Sequence, residues 1–187
     1  MKREEQSTIL PDGALLPDFK LPSTTGALID TKDFAPNAVL LVAFICNHCP
    51  YVKGSDQELI ALVNEFNEQG PSNFVAVGIS SNDALQYPED SFDLMQVKSL
   101  EMNLPYQYLY DETQEVAKLF DAVCTPEYFL FDHSKHLVFH GAINDSPRDA
   151  SKVTKHFLRD ALNQVFAGTT PLVSYAHSIG CSIKWKQ

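Results

Sequence analysis

Residues 39–45 read Val-Leu-Leu-Val-Ala-Phe-Ile, a run without one polar side chain. A strand of that composition has to be covered on both faces, as the central strand of a largely parallel sheet is. Downstream, Leu59, Ile60, Val63 and Phe66 recur at helical spacing until Gly70-Pro71 stops the pattern, and residues 73–80 supply a second buried strand. Strand, helix and strand make a βαβ unit with a right-handed crossover, which commits the chain to an α/β layered fold.

At the turn from strand to helix stands Cys46-Asn47-His48-Cys49-Pro50. A dithiol there can close a small disulfide ring, and the unpaired N–H groups of a helix start favour the thiolate of the first sulfur. An ordinary thiol with a pKa of about 8.5 is only about 3% ionised at neutral pH, so a reactive one needs the anion favoured by roughly two pKa units. The helix N-terminus can supply up to ~2 kcal/mol, and a protonated His48 within about 5 Å of Cys46 a comparable amount. Pro50 disfavours an α conformation at Cys49, so the helix is expected to begin after it.

The rest of the chain adds layers to this unit. Residues 1–13 are polar and expected to be loosely held. Residues 15–21 and 27–29 flank the turn-rich Ser23-Thr24-Thr25-Gly26 and read as an N-terminal β-hairpin at the sheet edge. A less regular helix is expected over residues 91–102, a short strand over 104–110, and a helix opened by a capping box, Asp111-x-x-Gln114, with Val116, Leu119, Phe120 and Val123 inward. Thr125-Pro126 breaks that helix and leads into a hairpin, residues 128–131 and 137–139. A last helix is expected from 148 to 167, followed by a C-terminal tail over 170–187. With no repeat and no linker, the 187 residues are expected to form a single domain.

Charge and composition narrow the function. A net charge of -10 disfavours nucleic acid and anionic lipid, both of which need clustered Lys and Arg. No apolar run reaches the ~20 residues of a membrane span, and Met1-Lys2-Arg3-Glu4-Glu5-Gln6 leads into no signal core, so a cytoplasmic protein is expected. In that compartment a close cysteine pair is catalytic or metal-binding rather than a structural staple. Cys124 and Cys181 are either further redox groups or small buried hydrophobes. His133, His136 and His140 fall in a hairpin and read as surface residues rather than a metal site. Glu89-Asp90 reads as solvated surface.

The order of elements, with C-x-x-C after the central strand and a proline opening the late hairpin, resembles the thioredoxin-fold superfamily. Residues 44–50, Asp111-Glu112-Thr113-Gln114, Cys124-Thr125-Pro126 and the tail Gly180-Cys181-Ser182-Ile183-Lys184-Trp185-Lys186 are together similar to the peroxiredoxin-like thioredoxin-fold family, grouped with the AhpC/TSA proteins. The resemblance implies a thioredoxin-like mixed sheet of about five core strands with helices on both faces. It implies that Cys46 attacks, Cys49 resolves, and their redox-active disulfide serves in place of a cofactor. It also implies that Thr125-Pro126 is a cis-proline site presenting its backbone to an extended substrate. Three positions depart from these patterns: Ile45 replaces the superfamily's tryptophan, Leu40 its buried acid, and Leu41 and Cys46 the proline and threonine that flank a peroxidatic cysteine.

The expected function is therefore thiol–disulfide exchange, with Cys46, Cys49 and His48 catalytic, Thr125 and Pro126 binding substrate, Cys124 and Cys181 as possible additional redox groups, and no metal. The expected partners are a protein or small-molecule disulfide or thiol and an electron donor that the sequence does not identify. The alternatives are a thiol-dependent peroxidase and a metal-binding or interaction module using the same cysteines with His48.

Overall fold

The computed structural model describes residues 10–69 and 73–187. In chain order the elements are β1 (Lys20–Pro22), β2 (Leu28–Asp30), β3 (Val39–Phe44), α1 (Pro50–Gln69), β4 (Phe74–Ser80), α2 (Phe92–Glu101), β5 (Gln107–Tyr110), α3 (Glu115–Leu119), β6 (Cys124–Thr125), β7 (Glu127–Phe131), β8 (Leu137–Gly141), α4 (Phe157–Phe166), β9 (Tyr175–Ala176) and β10 (Cys181–Ser182). The main sheet runs β5-β4-β3-β7-β8-β9. β3 lies at its centre, parallel to β4 and antiparallel to β7. β1 and β2 form the expected N-terminal antiparallel pair.

Every residue of β3 is at most 2% exposed, because alternate side chains enter two different cores. Val39, Leu41 and Ala43 pack with Leu59 and Leu62 of α1 and Leu158 and Leu162 of α4. Leu40, Val42 and Phe44 face the other way, toward Val116, Phe120 and Phe129. Phe120 meets Phe44 and Phe129 edge-on at 5.3 and 5.2 Å between centroids, the favoured geometry for aromatic quadrupoles. Helices therefore cover both faces of a mixed sheet.

Several local expectations are corrected. The capping box does not close: the Asp111 carboxylate accepts from Ala117 N at 2.9 Å, but Gln114 has a φ of 64° and donates its amide to the carbonyls of Ser81 and Lys184. Gln114 is itself buried, α3 is a short helix of five residues, and Leu119 is exposed instead of buried. The last helix begins at Phe157 rather than near 148. Asp145 holds the backbone N–H groups of Thr154 and Lys155, at 2.9 and 3.1 Å, and Asp149 caps a separate 3-10 turn; such side-chain bonds compete with a helix. His140 is not a surface residue: it is buried, stacks on Phe129 and meets Glu127 through Nε2 at 2.8 Å. The expectation for residues 1–13 lies outside the described residues up to residue 9; beyond it Leu10 is buried and Gly13 N donates to Leu137 O at 2.8 Å.

The C-terminal segment is part of the fold. β9 adds a sixth strand, parallel to β8, and β10 pairs antiparallel with β6. Gly141, at φ 133°, permits the close approach of β9, since a methyl group there would overlap the Ala176 carbonyl. Gly168, at φ 75°, faces open space. Gly141→Ala is expected to cost more than about 3 kcal/mol against about 1 for Gly168→Ala, because only the first adds overlap to backbone strain. Denaturant midpoints of the two variants check this.

Candidate active site

β3 ends at Phe44, and the chain then bends through Asn47 and His48. The first helical hydrogen bond of α1 runs from Lys53 N to Cys49 O at 3.0 Å, which makes Cys49 the residue that caps the helix and Pro50 its first member. This follows from the proline, which excludes Cys49 from the helix but suits the first helical position. The helix N-terminus therefore acts on the second sulfur, not on the first as the spacing alone implied.

The surroundings of the two sulfurs differ accordingly. The hydrogen bond from the Cys46 thiol draws the Cys49 thiol below its ordinary range against the cost of burial, helped by Val52 N–H and the Cys181 thiol. That same bond, burial and the nearby Asp90 push Cys46 well above its ordinary range. One contact opposes this order: the Cys49 thiol can donate to Thr125 O at 3.1 Å. Against that single acceptor stands the start of α1 at Cys49, which favours negative charge on the second sulfur.

Thr125 faces both cysteines. Its peptide bond to Pro126 is cis, and its hydroxyl lies 3.4 Å from Cys46 Sγ. Glu127, buried in β7, holds the approach to this corner by accepting from Val123 N at 2.8 Å and Cys124 N at 3.4 Å.

Asp90 organises the residues between the cysteines. It is fully buried, and one carboxylate oxygen accepts from Asn47 N at 2.7 Å and His48 N at 3.1 Å. The other meets His48 Nδ1 at 2.5 Å and Asn82 Nδ2 at 2.7 Å. Asn47 is fastened further by Tyr108 OH at 3.0 Å, and the His48 ring stacks on Tyr87. Asp90 is thus not solvated surface, because its four bonds replace the water it loses. Cys46 Sγ, a His48 ring nitrogen and an Asp90 oxygen lie within 4.8 Å of one another, the one such set among the described residues with donors suited to a metal. Asp90 takes the place that the metal-binding alternative gave to Cys49.

A second buried acid comes from α1. Asp56 pairs with Lys98 at 2.8 Å, and the same ammonium lies 3.5 Å from Cys46 O. Burial raises the Asp56 carboxyl above its usual range. The sequence position that a buried acid occupies in thioredoxin holds Leu40, so this one was not anticipated.

Cys181 joins the site and Cys124 does not. In the β10–β6 register Cys181 lies opposite Thr125 and Ser182 opposite Cys124. Gly180 passes so close that a methyl group on it would overlap the Thr125 carbonyl. Ile183 N donates to Val123 O at 3.0 Å, and Lys184 N to Asn82 Oδ1 at 2.8 Å. Cys124 precedes Thr125 in a strand and so faces the opposite side, its sulfur 3.9 Å from Pro126 O. Cys46 and Cys49 are both 0% exposed, whereas Cys181 is only half-buried.

Comparison with known proteins places this geometry. Residues 13–140 match the sequence profile of the AhpC/TSA family. An uncharacterized conserved protein from Geobacillus kaustophilus is 41% identical, with a TM-score of 0.87 over 96% of this chain and 95% of that one. A hypothetical protein from Sinorhizobium meliloti is 35% identical, with a TM-score of 0.87 over 95% and 96%. Peroxidoxin BcpB from Mycobacterium tuberculosis, 18% identical, superimposes with a TM-score of 0.57 over 70% of this chain and 84% of its own, a likeness of fold. No curated protein matches the chain. The fold is thioredoxin-like, as the motifs implied.

Asp90→Asn keeps the size of the side chain but turns one acceptor into a donor facing two others. It is expected to cost about 2–4 kcal/mol in urea unfolding of the reduced protein. His48→Ala, at a half-buried position, is expected to cost less.

Proposed function

The chain belongs to the AhpC/TSA family, and from that membership we propose that it is a thiol–disulfide oxidoreductase working through Cys46 and Cys49. A thioredoxin-type redox role is common to the family and the fold. The observation that carries the finer reading is Cys49 at the start of α1, against Thr125, with the Cys46 thiol bonded to it.

The resemblance assigns the attack to Cys46; the position of the helix start supports the reverse. The Cys49 thiolate attacks one sulfur of a substrate disulfide R–S–S–R′, forming Cys49–S–S–R and releasing R′S⁻. Cys46 then loses its proton, for which His48, held by Asp90, is the nearby acceptor. Its sulfur attacks Cys49 Sγ and releases RS⁻. The substrate leaves as two thiols, the protein keeps the Cys46–Cys49 disulfide, and an external thiol reductant resets it. Thr125 and Pro126 form the wall against which the substrate lies. The acidic chain suits neutral or cationic partners. Among the described residues no helix is long and apolar enough to cross a membrane.

A second reading is thiol-dependent peroxide reduction, favoured by the closed sulfurs, which a small oxidant reaches more readily than a protein does. Titration at controlled glutathione potentials, with mass-spectrometric mapping, is expected to show a reversible Cys46–Cys49 pair. With a protein disulfide as substrate, Cys49→Ser should abolish turnover, whereas Cys46→Ser should still release the first substrate thiol, R′S⁻, through attack by Cys49. Both cysteines remaining reduced at every potential would overturn the reading. Rapid peroxide consumption that survives Cys46→Ser and vanishes in Cys49→Ser would replace it with the peroxidase. Tight zinc binding without redox turnover would favour the module.

A further inference from the structure

The two buried sulfurs of the C-x-x-C turn are covered by a strand of the protein's own tail. β10 hydrogen-bonds along β6, the edge on which an extended substrate is expected to lie, and its register places Cys181 beside Thr125. The cover is built in detail. Gly180 admits the close approach, Ile183 is buried, and Lys184 is tied to Asn82 N-terminal to Asp90 and to Gln114 ahead of α3. An extended substrate and β10 therefore compete for one strand edge, a form of β-strand addition in which the resident strand brings its own thiol.

We propose that Cys181 is a third catalytic cysteine, which resolves the mixed disulfide on Cys49 through a Cys49–Cys181 disulfide before Cys46 takes over. The proposal rests on the Cys46 and Cys49 exchange described above. When a substrate has displaced the tail and been captured as Cys49–S–S–R, return of β10 to its register brings the Cys181 sulfur back to Cys49. The Cys181 thiolate attacks Cys49 Sγ; the new S–S bond forms, and RS⁻ leaves with the proton that Cys181 gave up. Cys46 then attacks Cys49 Sγ, displaces Cys181 as a thiolate that is reprotonated, and leaves the Cys46–Cys49 disulfide. Each step exchanges one S–S bond for another, so the substrate disulfide remains the only oxidant consumed.

The local charges favour this order. Burial and the Cys49 thiolate keep Cys181 protonated in the resting site, while Lys184 and Arg148 act the other way. Once Cys49 is capped its negative charge is gone and the two cations remain, so Cys181 ionises more easily. Cys46 also loses its bond to the Cys49 thiolate, but it remains the more deeply buried of the two and keeps the repulsion of Asp90.

The test uses the full chain and glutathione disulfide as oxidant, with disulfides mapped after acid quench. In Cys46→Ser, a Cys49–Cys181 disulfide is expected to replace glutathionylated Cys49. In Cys46→Ser/Cys181→Ser, glutathione should stay on Cys49 at least about 10-fold longer. In the unaltered protein, Cys49–Cys181 should appear before Cys46–Cys49, a readout that does not depend on the variants folding. Glutathione persisting equally on Cys49 in the single and double variants, or unaltered protein passing to Cys46–Cys49 with no Cys49–Cys181 species, would overturn the proposal while leaving the exchange reading intact. Absence of the Cys46–Cys49 disulfide from the unaltered protein would instead remove that underlying reading.

Discussion

The site hangs on the two-residue strand Cys124–Thr125, whose polar groups are shared among three parts of the chain. β10 pairs along it, the Cys49 sulfur lies 3.1 Å from the Thr125 carbonyl oxygen, and the Cys46 sulfur lies against the Thr125 hydroxyl. So short a strand cannot hold its own position by pairing alone. Glu127 anchors it from the next strand, accepting from Val123 N, Cys124 N and His140 Nε2. Buried acceptors satisfied in this way stiffen their surroundings, since each lost donor leaves a buried lone pair with neither solvent nor partner.

The opposite wall follows the same logic. Asp90 closes on Asn47, His48 and Asn82, so the turn between the cysteines is fixed by a carboxylate from a distant loop. Pro50 then decides which sulfur meets the helix start. Together the two walls give the cysteines unequal environments from equal chemistry: one at the end of a helix with donors around it, the other facing an acid.

What was legible in the sequence is what depends on local pattern. The apolar run of β3, the helical spacing of α1, the hairpin of β7 and β8 and the Thr125-Pro126 corner all announce themselves through composition or a proline. The motifs likewise named the fold and the cysteine pair. Residues whose roles depend on distant partners stayed hidden. Asp90 looks like any surface acid until Asn82 and the N–H groups of Asn47 and His48 surround it, and His140 looks like a surface histidine until Glu127 and Phe129 bury it. Gln114 fits a capping box, yet its amide is taken by the tail. The tail has only two-residue strands, too short for a period to show, and its place comes from Gly141 and Gly180 admitting close backbone contact.

The central claim is that Cys49, and not Cys46, holds the negative charge in the reduced site. It is tested most directly by NMR titration of protein labelled at the cysteine Cβ, followed from about pH 3 to 11, a range that spans ordinary and strongly perturbed thiols. The account predicts that the Cys49 signal shifts first, below the ordinary thiol range, with Cys181 and Cys46 following above it. If Cys46 titrates first, or if Cys49 remains a thiol up to its ordinary range because the Thr125 carbonyl holds its proton, the account is contradicted.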